Sequence, residues 1–134
     1  MILLDTSFLV AFFNEEDSQH QKALEDMKNV EKEIQLLSNY VALETATVLR
    51  NKKDLRLACD FLEGIRAKDK LRIYTLNELD FEGTYKIFRN QKSSLSFIDA
   101  SIVYLALETN SKIATYDSDI SDEIKRLKAS DLHR

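Results

Sequence analysis

Four acids stand out by position: Asp5, Glu44, Asp99 and Asp117. Asp5 directly follows the apolar run Ile2–Leu4, and Asp117 follows Lys112–Thr115 closely. Short apolar runs of this kind read as strands of a parallel sheet covered on both faces. Ligands of such sheets bind beyond the carboxyl ends of the strands, so two acids fall at the functional edge. Glu44 shares a helical stripe with Val41 and Val48, which predicts a carboxylate turned toward the interior. Asp99 precedes Ile102 and Val103 at i+3 and i+4, which predicts an acid facing the sheet. Clustered carboxylates away from water need cations or protons. Mg²⁺ or Mn²⁺ suits an all-oxygen site, and paired ions can activate water and stabilise the leaving oxygen in phosphodiester hydrolysis. The clusters of a zinc site are absent, because His20 and His133 are isolated and Cys59 sits on an apolar helix.

Each acid also has a structural reading. Asp5 can cap a helix beginning near Ser7. Ser96-x-x-Asp99 is a capping box. Asp117, Ser118 and Asp119 can form the turn and cap of a last helix, and Glu44 can pair with Arg50 or another base. The joint pattern, rather than any single acid, favours chemistry.

The elements that must position these acids alternate. The strands are Ile2–Leu4, Ile34–Leu37, Leu71–Tyr74 and Lys112–Thr115. Between them lie a short apolar helix over Ser7–Phe13 and a helix opened by Ser18-x-x-Gln21 and running to about Val30. Next come the Val41–Val48 helix and one after Asp54, with Leu55, Ala58, Phe61, Leu62 and Ile65 on one stripe. Leu79 to Phe88 forms another, with Phe81, Tyr85 and Phe88 aligned and Gly83 as its weak point. Arg89–Ser94 is a polar loop, Ser96 caps a helix from Phe97 to about Thr109, and Ile120–Lys128 is the last helix. The pattern predicts a three-layer α/β/α sandwich. Two glycines and no proline argue against a many-turned β fold.

The 134 residues suit a single domain, and 44% hydrophobic residues exclude general disorder. The net charge of −4 disfavours a dedicated non-specific nucleic-acid binder. Charge is uneven, however: residues 1–49 carry a net of −6, residues 50–72 a net of +4 and residues 73–134 a net of −2. The basic block holds Arg50, Lys52, Lys53, Arg56, Arg66, Lys68, Lys70 and Arg72, which is either a phosphate-binding surface or a solvated helix face. A lone cysteine excludes an internal disulfide. The start MILLDTSFLVAFF lacks a basic leader and is interrupted by Asp5, so it does not read as an export signal. These features predict a cytoplasmic protein without a membrane span.

The segments LLDTS (3–7), ALET (42–45), S-x-x-DA (96–100) and TYDSD (115–119) resemble, in order and spacing, the four motifs of PIN domains. The length and the early first motif look most like VapC-type toxins of toxin–antitoxin pairs. The resemblance spans residues 2 to about 120. It implies a small parallel sheet between helices, and Mg²⁺- or Mn²⁺-dependent endoribonuclease activity on RNA. It also implies homodimers and an antitoxin partner whose segment enters the active-site groove. Asp5, Glu44, Asp99 and Asp117 match the family's metal-binding acids, with Asp5 and Asp99 on the main ion. Asp119 matches a further acid that binds metal through water, and Thr6, Ser7, Ser96 and Thr115 match supporting positions. The chain departs after Asp119, where the family's glycine and short final strand are missing, so the sheet has four or five strands. The alternatives are a PIN-like module that binds RNA or protein without cutting, and a phosphatase with Asp5 as nucleophile. Enzymes resembling haloacid dehalogenases place a second Asp where this chain has Ser7.

Overall fold

The computed structural model of the chain describes residues 1–132. Four strands form one all-parallel sheet: β1 (Ile2–Leu4), β2 (Gln35–Ser38), β3 (Leu71–Tyr74) and β4 (Lys112–Ala114). Their spatial order is β3-β2-β1-β4, with Leu3 opposite Leu36 on one side and Ile113 on the other. The chain winds outward from β1 through β2 to β3, then returns to place β4 on the far side of β1. The β1–β4 boundary is therefore the switch point of the sheet, where a crevice opens beyond the strand ends.

Among the described residues, seven helices cover the sheet: α1 (Thr6–Phe13), α2 (His20–Val30), α3 (Asn39–Lys52), α4 (Leu55–Arg66), α5 (Glu78–Asn90), α6 (Phe97–Thr109) and α7 (Ser118–Leu132). The two-residue alternation of strands decides which helices each residue meets. Ile2, Leu4 and Leu37 join Phe8, Met27, Val41, Leu49 and Phe61 in one core. Leu3 and Leu36 point the other way, to Leu105 and Ala106 of α6 and to the half-buried Tyr104 and Ile124. This is the predicted α/β/α sandwich.

There is no fifth strand among the described residues, because α7 runs from Ser118 to Leu132, well beyond the predicted Ile120–Lys128. The predicted Ser18–Gln21 capping box does not form. Asp17 takes the Gln19 backbone N–H at 2.8 Å, so α2 begins at His20. Leu55 and Leu62 of α4 are exposed, leaving Ala58, Phe61 and Ile65 as the buried row. Phe81, Tyr85 and Phe88 do align on α5, but outside the core, where Phe81 and Phe88 pack on Phe97. The buried row of α5 carries Asp80 and Thr84. Asp80 accepts hydrogen bonds from the Tyr74 and Tyr104 hydroxyls and the Asn77 N–H, a capping box with Asn77 that moves the helix start to Glu78. Among the described residues, no helix is long and apolar enough to cross a membrane. His133 lies outside the described residues.

Candidate active site

Asp5 leaves β1 and caps α1. Its N–H completes the sheet by donating to the Ala114 carbonyl at 3.1 Å, and its carbonyl accepts from Leu9. The carboxylate is 2% exposed and its two oxygens differ. Oδ2 accepts from the Ser7 hydroxyl at 2.7 Å, the Thr115 hydroxyl at 2.7 Å and the Ser7 N–H at 3.4 Å. Oδ1 is equally buried and has no hydrogen-bond partner. Ser7 and Thr115 each use their one hydroxyl hydrogen on Asp5. Their oxygens are then free to accept, Ser7 from the Tyr116 N–H at 2.9 Å and Thr115 from the Asp117 N–H at 3.0 Å. The β4–α7 turn is thus fastened to the α1 cap, and Asp117 is set beside Asp5.

Asp117 and Asp99 arrive as predicted from strand end and helix start. Asp117 takes the Asp119 N–H at 2.9 Å on Oδ1, which orders the first turn of α7. Asp99 closes the capping box of α6, accepting from the Ser96 N–H at 3.2 Å and giving its own N–H to the Ser96 hydroxyl at 3.1 Å. The structural reading of Asp99 therefore holds, but it is incomplete. Burial pushes the Asp99 carboxyl above the usual carboxylate value, against the Ser96 hydrogen bonds, and the charges of Asp5 and Asp117 push it further. The three acids share one electrostatic environment.

Glu44 corrects its expectation. The buried row of α3 is Val41, Thr45 and Leu49, one position away from Glu44 and Val48. Glu44 is half-buried and looks outward beside that row instead of into the core. Among the described residues it has neither an ion pair nor a hydrogen-bond partner, so the Arg50 pairing is not formed. Asp99 likewise is half-buried and faces the crevice rather than the sheet.

One cleft of about 390 Å³ gathers Asp5, Glu44, Asp99 and Asp117 with Thr6, Ser7, Val10, Asp17, Gln19, Val48, Lys52 and Tyr116. Four of the five predicted acids come together there. Asp119 is not part of the lining and touches the site through its N–H bond to Asp117. The sequence reading missed Asp17, Gln19 and Tyr116 as lining residues, and it named Lys52 only as one base of the block over residues 50–72. A signal for Lys52 existed, since it extends the Glu44–Val48 spacing by one more step of four.

The sequence matches the PIN domain over residues 2–126, nearly the whole chain. This chain belongs to the PIN domain family. Its acids sit after β1, within α3, at the start of α6 and after β4. Among solved structures, the PIN fold here is similar to VapC20 of Mycobacterium tuberculosis, a toxin described as cleaving the sarcin–ricin loop. The two share 24% identity and a TM-score of 0.81, over 91% of this chain and 94% of that one. It is also similar to PAE2754 of Pyrobaculum aerophilum, with 15% identity and a TM-score of 0.61 over 99% and 96% of the two chains. No curated protein matches the sequence.

The PIN site fits a divalent cation on its own chemistry. A buried carboxylate oxygen without a donor is costly unless a cation answers it, and Asp5 Oδ1 is such an oxygen. The donors around it are all oxygens, which suits Mg²⁺ or Mn²⁺ rather than zinc. Among the described residues, no three acids stand close enough to grip one ion directly. Mg²⁺ tolerates this arrangement, since it keeps several waters and takes only one or two carboxylates.

Proposed function

We propose that this PIN domain is a Mg²⁺- or Mn²⁺-dependent endoribonuclease and the toxin of a toxin–antitoxin pair. The buried, partnerless Oδ1 of Asp5, a residue that lines one cleft with Glu44, Asp99 and Asp117, carries the reading. Asp5 and Asp99 would hold the principal ion, with Glu44 and Asp117 completing the site through bound water or holding a second ion, and Asp119 contributing through water. The bound cation would supply charge neutralisation and activation of water for phosphodiester hydrolysis. Ser7 and Thr115 fix the Asp5 carboxylate through Oδ2, which leaves Oδ1 without a donor and available to a cation. Ser96 holds Asp99 at the cleft rim. Likeness to VapC20, a toxin described as cleaving the sarcin–ricin loop, supports structured RNA as the substrate. In this reading the protein acts in the cytoplasm as a homodimer and is inhibited by an antitoxin.

The test is cleavage of an RNA panel that includes a sarcin–ricin hairpin, with Mg²⁺ or Mn²⁺. Cutting should require metal and fall by about a hundredfold or more in Asp5→Asn and Asp99→Asn, since even the residues behind metal ligands are worth 10–100-fold. Unchanged cleavage in both variants would refute the site, and metal-independent cleavage would refute the mechanism.

A further inference from the structure

Lys52 is a base in a cleft otherwise lined by acids and neutral residues. It lies on α3 at i+8 from Glu44, with Val48 between them, so the three side chains descend one flank of the helix. Its position in the last turn of α3 also complements the helix dipole, which accounts for a base but not for one in this cleft. Lys52 is exposed, and among the described residues it forms no ion pair.

Four other bases of the block have partners of their own. Lys53 binds Glu16 at 2.6 Å. Lys68 lies against Glu31 at 3.7 Å, and Lys70 and Arg72 donate to backbone carbonyls. Of the eight bases of the block, Lys52 is the one that lines the cleft.

We infer that Lys52 binds a backbone phosphate of the RNA strand, next to the one cut. Glu44 and Lys52 are about 12 Å apart along the helix axis. That separation assigns Lys52 to a flanking phosphate rather than to the scissile one. The cation draws a polyanion toward a cleft whose acids would otherwise repel it. The inference rests on the nuclease reading, since it deepens the use of the same cleft.

The experiment measures binding of a single-stranded oligoribonucleotide and of the sarcin–ricin hairpin in Ca²⁺, with the absence of cutting checked on a gel. Wild type, Lys52→Ala, Lys52→Arg and the neighbouring Lys53→Ala are compared. Lys52→Ala should weaken binding roughly fivefold to tenfold. The slope of log K against log salt should become shallower by about 0.7, one phosphate contact on a single strand. In cleavage assays with Mn²⁺ the same variant should raise KM and leave kcat nearly unchanged. Lys52→Arg should keep the affinity, and Lys53→Ala should behave as wild type. Replacing phosphates one at a time by neutral methylphosphonates should reveal one position that costs wild type affinity but costs Lys52→Ala nothing. Unchanged affinity and salt slope in Lys52→Ala, while wild type still cuts RNA, would overturn the Lys52 assignment and leave the nuclease reading standing. A wild type that neither binds nor cuts either RNA overturns both.

Discussion

At the scale of single residues, the site is built on hydroxyls that donate once and accept once. Thr115 is the clearest case, because its Oγ1 gives a hydrogen to Asp5 and receives one from the Asp117 backbone. Two acids from different strands are thereby set by one side chain. Thr115→Val keeps the shape and removes both bonds. The Asp5 carboxylate then loses one of its three donors and gains freedom to turn Oδ1 away. Mn²⁺ affinity, read by calorimetry, should fall about 10–100-fold, as for other residues that orient metal ligands. Thr115→Ser should restore most of it. Equal affinity in Thr115→Val would mean that Ser7 alone positions Asp5. The acids themselves were legible in the sequence, since strand ends and helical spacing locate them without coordinates. Which oxygen of Asp5 stays open was not, because that depends on two hydroxyls brought together across more than a hundred residues.

At the scale of elements, the sequence reads helix existence well and inward faces less well. Phe81, Tyr85 and Phe88 look like a core stripe, yet the packed side of α5 is Asp80, Gly83 and Thr84. Periodicity finds an apolar face but cannot tell that Tyr104 needs a glycine to lie against. A Cβ at position 83 would stand 2.6 Å from Tyr104 Cδ1, and Tyr104 is held in place by its bond to Asp80. Helix propensity alone says that Gly83→Ala stabilises by roughly 1 kcal/mol. Overpacking costs about 1–3 kcal/mol and should win, so urea denaturation should show a net loss. A gain in stability would show that Tyr104 moves freely.

Glu123 is a second feature of this scale that periodicity could not anticipate. It is 1% exposed on α7, bonds Arg126 at 2.7 Å and accepts the Lys92 N–H and the Ser93 hydroxyl from the loop before α6. It thus ties α7, which begins beside Asp117, to the segment leading to Asp99. The Arg126 bond, outweighing burial, holds the Glu123 carboxyl below its ordinary value of 4.5. A carboxyl lowered in the folded state stabilises above the unfolded pKa, and that stability is lost as pH falls through the folded one. Urea midpoints should therefore decline below about pH 4.5. Glu123→Gln should lower the midpoint at neutral pH and flatten this decline. An unaltered acid limb would place the loss in other carboxyls.

At the scale of the molecule, strand order decides where chemistry can sit. The order β3-β2-β1-β4 makes β1 and β4 neighbours of opposite winding, so Asp5 and Asp117 open onto the same crevice. The sequence predicts four parallel strands with acids at their ends, but no local pattern tells which strands are adjacent. That information is carried by long-range packing, such as Leu3 against Ile113. Burial first, and the neighbouring charges of Asp5 and Asp117 after it, raise the Asp99 carboxyl, so the crevice holds this charge at a cost, and stability and metal binding should trade against each other. Asp99→Asn retains an oxygen for the Ser96 N–H while removing one charge, so in EDTA its Tm should equal or exceed that of wild type. Added Mn²⁺ should raise the wild-type Tm, by about 2.7 kcal/mol of stabilisation at a hundred times Kd. The same titration should barely move Asp99→Asn. A variant less stable in EDTA would mean that the capping box, not charge repulsion, governs this position. An equal Mn²⁺ response in both proteins would remove Asp99 from the metal site and return the residue to its structural role alone.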